Sequence, residues 1–433
     1  MGAGTAQGGA CLLISGKVRK NMEFVVFAGV LLLLFIFMIV QELIQTKNQE
    51  KLFKKYLREN YGKEPPKEYS LERFARLGSY LERHKEEKQL DDITWNDLGM
   101  DEVFRRIDRT YSAAGEEYLY YTLRNISCGR EALEHLEEVV NWLQEQENIK
   151  VRIQLLMKRL GHLGKYSLYD YLDNLDYLGE RSNRKIVLGN LLYLPFLLLL
   201  FVQPAMGTIG IVLCMLWHIM TYFREKKVIE PYIISFAYVL RLIDVCEELE
   251  KQKIPVYRRE LDELREALKS LRELRRGAYW VMAGNQGKIG GNPLDILADY
   301  LRMILHLDIF QFNRMLEKLR KKTGQVENML AITGYLDMAI SVGGFRKSLE
   351  GYCIPKLEED TEKAFLHMKK GWHPLLSQPV KNSIRADRGI LLTGSNASGK
   401  STFLKMVAVN AVLAQRIHTS AADSYHAAIF QIF

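Results

Sequence analysis

The sequence predicts a mainly α-helical protein in which transmembrane helices and a helical module precede the first part of a P-loop α/β domain. Three observations lead to this fold class. Long uncharged apolar runs interrupt an otherwise charged chain, and apolar residues recur at three- and four-residue spacing through its middle. A glycine-rich segment near the C-terminal end follows a short β-favouring run. With 433 residues, the chain is long enough for two or three domains with sizeable cores.

Composition narrows the class of protein only slightly. The hydrophobic and charged fractions, 48% and 26%, are those of an ordinary globular protein. A net charge of +8 fits nucleic acid, anionic lipid or the basic loops of a membrane protein, so the location of the charges must decide. The five cysteines are widely scattered without a Cys-x-x-Cys pair, which predicts reduced thiols and neither a disulfide framework nor a zinc site.

The first membrane-spanning helix is predicted within residues 22–45, after a disordered N-terminus at 1–21. Residues 24–40 carry no charge, and about 20 apolar residues suffice to span a bilayer as a helix. A secretory signal peptide is the alternative, because Lys17, Arg19 and Lys20 precede the run. No small-residue cleavage site follows it, which favours an uncleaved anchor.

Residues 46–90 are predicted to form a juxtamembrane arm, with Pro65-Pro66 marking a break after its first amphipathic stretch. Residues 91–185 follow as the first part of a helical module. Apolar residues there have helical spacing: Leu133, Leu136, Val140 and Leu143.

Residues 186–223 are predicted to be a transmembrane hairpin. Two uncharged runs, 186–202 and 205–223, meet at Gln203-Pro204. Cations flank the pair on both sides: Arg181, Arg184, Lys185, Arg224, Lys226 and Lys227. The positive-inside rule then places both flanks in the cytoplasm. The chain is thus predicted to be a multi-pass membrane protein with cytoplasmic helical and C-terminal regions and an external N-terminus. The alternative is a buried helical hairpin of a soluble core.

Residues 224–350 are predicted to be the second part of the helical module. A leucine stripe within a charged helix is typical of a helix–helix seam; it comprises Leu261, Leu264, Leu268, Leu271 and Leu274. Cations beside the stripe alternate with acidic residues, which favours a solvated face, and contact with DNA phosphates stays open as the alternative. The glycines at 284–291 predict a loop.

Residues 394–401 fit the P-loop pattern G-x-x-x-x-G-K-[ST]. Ile390–Thr393 is predicted to be the preceding strand. A helix is predicted after the loop from the spacing of its apolar positions, which are Phe403, Met406, Val407, Asn410 and Leu413. The alternative is a glycine-rich turn with a surface lysine.

The predicted ligand of this loop is ATP with Mg²⁺, or a related nucleotide. Glycines allow backbone N–H groups to face the phosphates, and the helix N-terminus adds a positive dipole end. Lys400 would reach the β- and γ-phosphates, and the Ser401 hydroxyl would bind Mg²⁺. The remaining predicted nucleotide-binding residues are Gly394, Ser395, Asn396, Ala397, Ser398, Gly399 and Thr402.

The segments around the loop resemble the ATPase domain of MutS-type DNA mismatch repair proteins. The resemblance covers about residues 335–433 and rests on Gly371–Leu376, Asn382, Thr393–Leu404, Leu336-Asp337 with Ser341, Tyr352–Pro355, Ala422–Ser424 and Ile429-Phe430. A weaker likeness to the start of the MutS core helical domain involves Asp108–Thr110, Gly115, Leu119 and Leu123.

The resemblance implies an ATP-driven clamp that dimerises through its ATPase domain, usually on DNA. The chain departs from the family in several ways. It has no counterpart of the mismatch-reading domain, and a hairpin interrupts the helical core. Ser395 and Ala397 replace the usual Pro and Met, and only Pro379–Lys381 stand where a base-contacting residue is expected before Asn382.

The chain also stops at Phe433, before the family's Asp-Glu strand and signature loop. Residues 351–433 are therefore expected to be an incomplete ATPase domain that binds nucleotide weakly and hydrolyses it poorly, with its catalytic residues unknown. Three functions remain open: ATP-dependent DNA binding or damage sensing at the membrane, an ATP-dependent membrane conformational switch without DNA, and a non-catalytic truncated scaffold.

Overall fold

The computed structural model describes residues 37–38, 40–41, 44–64, 69, 71–85, 89–125, 129–163, 167–275, 293–359, 363–394 and 399–432. The chain forms two compact units, Met1–Asn60 and Tyr61–Phe433. Helix α1 (44–60) belongs to the first unit. The predicted first span lies almost wholly outside the described residues, as does the predicted loop at 284–291.

The second unit is built mostly from helices. In chain order they are α2 (Leu71–Arg83), α3 (Asp92–Leu98), α4 (Met100–Ile107), α5 (Ala113–Arg124), α6 (Arg130–Glu145), α7 (Glu147–Leu160), α8 (Leu168–Asp173), α9 (Arg184–Leu191), α10 (Tyr193–Val202), α11 (Pro204–Glu250), α12 (Arg258–Leu271), α13 (Pro293–Leu305), α14 (Leu307–Arg320), α15 (Thr323–Ser348) and α16 (Lys400–Ile417). Short 3₁₀ turns lie at Leu175–Leu178, Pro255–Tyr257 and Arg272–Arg275.

Helix α15 is the centre of the helical module and packs against α5, α6 and α12. Its Asp337 accepts hydrogen bonds from the backbone N of Ser112 at 2.9 Å and from the Ser112 hydroxyl at 2.6 Å. Ser112 in turn caps α5, accepting from the Gly115 N–H at 3.1 Å. One turn further along α15, the Ser341 hydroxyl donates to the Ile107 carbonyl at 2.8 Å. Segments more than two hundred residues apart, each noted in the sequence for its family likeness, therefore meet at the start of α5.

Gly115 is required by this contact. A Cβ there would overlap the side chain of Asp337, which is held by its hydrogen bonds. We expect Gly115→Ala to destabilise the fold by about 1–3 kcal/mol, since overpacking at a tight contact forces neighbours apart. Gly78→Ala is the control, because a Cβ at that helical position has nothing within 4 Å. Thermal unfolding should show a lowered midpoint for the first variant only; equal midpoints would contradict the packing.

The predicted leucine seam is confirmed. Helix α12 packs its stripe against α11 and α15, with Leu264 and Leu271 fully buried. Its outer cations pair with neighbouring carboxylates, as in Arg265 to Glu250 at 2.8 Å. This is the solvated face that the alternating charges predicted.

Helices α9, α10 and the first half of α11 form the predicted hairpin, with its turn at Gln203. A Cβ on Gly207 would lie 2.6 Å from the Leu200 nitrogen, and one on Gly210 would overlap the Phe196 ring. Small residues thus let α10 and α11 pack backbone to backbone.

The hairpin presents its apolar side chains outward. Arg184–Val202 and Pro204–Glu230 are long and apolar enough to cross a membrane by length and composition, with mean hydropathies of 2.1 and 1.6. Only 6% and 22% of these windows are buried. Phe201 is 89% exposed and Met220 is 74% exposed. The described part of the hairpin is therefore largely exposed and is not buried in the described core of this chain.

Helix α11 does not end with the hairpin. It continues without interruption for 47 residues, which corresponds to about 70 Å at 1.5 Å per residue. Its second half is buried in the module, with Phe236, Val239 and Leu242 all in the core. One helix thus connects the exposed apolar hairpin to the centre of the bundle.

The C-terminal segment forms a small mixed sheet from β1 (Lys356–Glu358), β2 (Leu366–Gly371), β3 (Asn382–Ala386) and β4 (Ser424–Ala428), in the order β1-β4-β2-β3. β1 is parallel to β4, and β2 is antiparallel to both β3 and β4. A second core cluster, including Met368, Met406 and Tyr425, joins this sheet to α16.

The predicted strand at Ile390–Thr393 is not formed, because residues 389–394 have no regular secondary structure and Leu391 is 88% exposed. A β-favouring run becomes a strand only when a neighbour pairs with its backbone. None of the described strands pairs with it.

Candidate nucleotide-binding site

The P-loop ends where α16 begins. Gly399 precedes the helix with φ of 84°, a left-handed conformation that favours glycine. Its carbonyl accepts the first helical hydrogen bond from Phe403 N at 2.9 Å. Ser401 and Thr402 are exposed in the first turn. The helix predicted from residue spacing is confirmed over 18 residues.

Lys400 lies across the mouth of this loop. Its ammonium donates a hydrogen bond to the carbonyl of Gly394, the residue at which the P-loop pattern starts. The two ends of the loop are thus joined by the side chain that the pattern assigns to phosphate contact. Ser395–Ser398 lie outside the described residues, so their amide contacts stay predictions.

Asn410 fixes the body of α16 to the sheet. Its Nδ2 donates to the Trp372 carbonyl at 2.9 Å, and its Oδ1 accepts from the Ser420 hydroxyl at 2.9 Å and from Ala421 N at 2.7 Å. Trp372 N also donates to the Ala421 carbonyl at 2.9 Å. One buried amide therefore holds together α16, the end of β2 and the segment leading into β4.

His373 follows directly and is also buried. Burial, with a smaller contribution from Lys405, lowers the pKa of its imidazole. Nδ1 accepts from Leu375 N at 3.3 Å, which is the role of a neutral ring. The Gly371–Leu376 segment is thus an ordered turn packed beside α16.

Lys381 occupies the place where the resemblance expects a base-contacting residue. Its ammonium lies 4.4 Å from the centre of the Trp372 ring and 4.0 Å from the Asp423 carboxylate. The side chain is therefore drawn toward the sheet surface.

The opposite end of α16 is held by a cluster that sequence reasoning missed, which we call the Arg346 junction: Arg346, Glu137, His418 and Thr419. Arg346, at the end of α15, is 1% exposed. It donates to both Glu137 oxygens at 3.1 and 2.8 Å, to the Thr419 hydroxyl at 2.8 Å and to the His418 carbonyl at 2.9 Å. Helices α6, α15 and α16 thus meet at one buried cation, which caps the C-terminal end of α16.

Glu137 is the anion of this junction. Burial alone would raise the pKa of its carboxyl, but hydrogen bonds from His418 and Arg346 and the charge of Arg346 lower it to about 2. The carboxylate is therefore ionised over the whole neutral range. The sequence signal for the junction is the Arg346-Lys347 pair at the end of an apolar helical run.

Beside α16 an open groove of about 680 Å³ is lined mainly by apolar residues, including Ile384, Phe403, Val407 and Phe430. Ser401 and Lys405 lie at its edge. The groove is continuous with the first turn of α16, so an apolar surface lies beside the C-terminal end of the P-loop.

No family model matches the chain. Curated relatives do match part of it. The human "MutS protein homolog 4" is 28% identical over 123 residues, which are 27% of this chain and 12% of that protein. A "DNA mismatch repair protein MutS" from Leptospira interrogans is 31% identical over 124 residues, 26% of this chain and 14% of the relative. Another from Pelotomaculum thermopropionicum is 33% identical over 115 residues, 24% of this chain and 13% of the relative.

About a quarter of this chain is therefore similar to proteins of the MutS type. The resemblance to MutS-type proteins noted in the sequence is thereby confirmed over part of the chain. The chain spans between 12% and 14% of the length of these MutS relatives, so it corresponds to a small part of each.

Proposed function

We propose that this chain is a membrane-anchored nucleotide-binding protein of MutS type, whose P-loop binds the phosphates of ATP with Mg²⁺. The observation that carries the proposal is the start of α16. A left-handed glycine, a lysine reaching across the loop and an exposed serine stand in consecutive positions at a helix N-terminus. These groups fit a magnesium nucleotide, because such sites combine helix N–H groups, one lysine and one hydroxyl.

In this proposal each residue has a separate role. The α16 N-terminus and the loop amides would hold the phosphate oxygens, and Lys400 would leave the Gly394 carbonyl to neutralise their charge. The Ser401 hydroxyl would hold Mg²⁺, which when bound offsets negative charge between the outer phosphates. The proposal concerns binding and assigns no hydrolytic residue.

We further propose that nucleotide binding is transmitted to the bundle. Helix α16 is tied at its far end to α6 and α15 by the Arg346 junction. Helix α15 packs against α11, which continues into the apolar hairpin. A shift of α16 on nucleotide binding would therefore displace helices that we propose to lie at the cytoplasmic face of a membrane.

Two functions fit such a switch, and each has an observation in its favour. The similarity to bacterial relatives that are DNA mismatch repair proteins favours ATP-dependent DNA binding. The unbroken path of α11 from the hairpin to the core favours a membrane conformational switch without DNA. A homodimer formed through the P-loop segment is compatible with both.

The full chain in detergent micelles tests the proposal. Equilibrium binding of ATP with Mg²⁺ should be saturable, with one nucleotide per chain, and a failure to bind would refute the proposed function. DNA binding measured over a range of salt concentrations separates the two versions. A steep fall of affinity with salt indicates phosphate contacts and selects the first, whereas no affinity even at low salt selects the second.

A further inference from the structure

Where the exposed hairpin meets the helical module, the structure has a cavity of about 380 Å³. It is enclosed by the segment before α9, the first turns of α9, the middle of α11 and the junction between α13 and α14. We infer that this cavity binds the phosphate-bearing headgroup of an anionic phospholipid. The inference rests on the proposed insertion of the hairpin into a membrane.

Three of the six cations that flank the hairpin in the sequence line this one cavity: Arg181, Lys185 and Arg224. The Arg181 guanidinium is oriented by Glu225 at 2.5 Å and by the Asn313 oxygen at 3.0 Å. Lys185 and Arg224 are exposed and form no salt bridge within the part of the chain that the structure describes. Glu180 is the remaining carboxylate of the lining. Positive charge is thus in excess, with two cations available to an anion.

The inner wall of the cavity is polar and buried. His218 is 1% exposed, and its Nε2 is buried without a hydrogen-bond partner among the described residues. Its Nδ1 lies 3.3 Å from Nδ1 of His306, and the Thr221 hydroxyl lies 3.4 Å from Nε2 of His306. Buried polar atoms are normally satisfied, so an unsatisfied imidazole nitrogen at a cavity wall indicates a missing polar partner.

The backbone around this wall is unusual as well. His306 has φ of 54°, a left-handed conformation that is strained for a residue other than glycine. Gly189 leaves space beside His218, since a Cβ there would lie 3.3 Å from Nε2. The strained position and the position without a side chain thus both lie at the two imidazoles of the cavity wall.

The surface next to the cavity is apolar, which indicates a lipid as the source of the phosphate. Leu188, Trp217, Met220 and Phe223 are between 50% and 74% exposed on the adjoining turns of α9 and α11. A phosphate in the cavity would therefore leave its acyl chains against these side chains. Basic pockets at the cytoplasmic end of membrane helices are suited to anionic headgroups.

Thermal stabilisation of the full chain in detergent tests the inference. Short-chain phosphatidylglycerol should raise Tm in a saturable way, whereas short-chain phosphatidylcholine and inorganic phosphate at equal concentration should not. The double variant Lys185→Gln/Arg224→Gln should bind phosphatidylglycerol roughly ten- to thirty-fold more weakly. Each of the two cations is expected to strengthen the binding of an anionic lipid by roughly three- to five-fold. The matched control is Arg259→Gln/Lys269→Gln, which removes two cations from the exposed face of α12.

Two results would overturn the inference. Equal stabilisation by inorganic phosphate would mean that the site takes a free anion, and equal weakening in the control variant would mean that net charge alone attracts the lipid. Retention of each variant in membranes washed at alkaline pH reports separately on the anchor. If the protein is retained but shows no lipid selectivity, only the headgroup site is refuted. If the unmodified chain is extracted, the proposed membrane anchoring, on which the headgroup site rests, is refuted as well.

Discussion

Lys400→Ala is expected to lower the affinity of the full chain for ATP by roughly a hundredfold, because one charge-assisted contact contributes about 1.5–3 kcal/mol. The residue already spans the loop from α16 to the Gly394 carbonyl. Replacing its ammonium removes the positive charge closest to where the outer phosphates would lie. Equilibrium binding of a fluorescent ATP analogue, displaced by ATP, measures the change.

The control is Lys363→Ala, which removes an exposed lysine between β1 and β2. Its ATP affinity should match that of the unmodified chain. A second readout uses linkage: ATP at a hundred times its Kd stabilises the folded state by about 2.7 kcal/mol, and at the same ATP concentration this stabilisation should fall to about 0.4 kcal/mol in Lys400→Ala. Unchanged ATP affinity in Lys400→Ala would refute the assignment of the P-loop.

Arg346→Met is expected to destabilise the chain by about 3–5 kcal/mol, because removing one partner of a buried ion pair leaves the charge of the other partner buried and unpaired. Methionine keeps the unbranched stem of arginine, so lost packing contributes little. The variant leaves Glu137 mostly buried and withdraws a donor from the His418 carbonyl. Thermal unfolding in detergent measures the effect.

Arg259→Met is the matched control, since its side chain is 87% exposed and pairs only with a neighbour on the same helix. Such a pair contributes at most about 1 kcal/mol. If the two variants unfolded at the same temperature, the Arg346 junction would not hold α16 to the bundle.

The pH dependence of stability is an independent test of the Arg346 junction. The pKa of Glu137 is lowered in the folded chain from 4.5 to about 2. Its contribution to stability is therefore complete above about pH 4.5 and is lost as the pH falls toward 2. The loss over that interval should be smaller in Arg346→Met than in the unmodified chain, and a parallel pH dependence would contradict the pairing.

The spacing of apolar residues and the lack of charge predicted the features of the fold that depend only on nearby residues. Helical spacing identified the α12 seam and α16, and unbroken apolar runs identified the hairpin with its turn at Gln203-Pro204. In each case the periodicity or the lack of charge directly determines which face a helix buries.

Features that join distant segments could not be predicted in this way. Ile390–Thr393 has the composition of a strand, yet whether it pairs depends on backbone elsewhere in the fold. The Arg346 junction brings together α6, α15 and α16, which lie far apart in the sequence. The cavity at the hairpin base likewise gathers charges from both ends of a long apolar stretch. In all three cases the decisive neighbour is remote along the chain.

Photolabelling of washed membranes tests the central claim most directly. Membranes containing the full chain are stripped at alkaline pH and exposed to an azido-ATP analogue with Mg²⁺. We predict that the chain stays in the membrane pellet, is labelled there, and loses its label with excess ATP or with Lys400→Ala. A chain that leaves the pellet, or one that stays but is not labelled, would contradict a membrane-anchored nucleotide-binding protein.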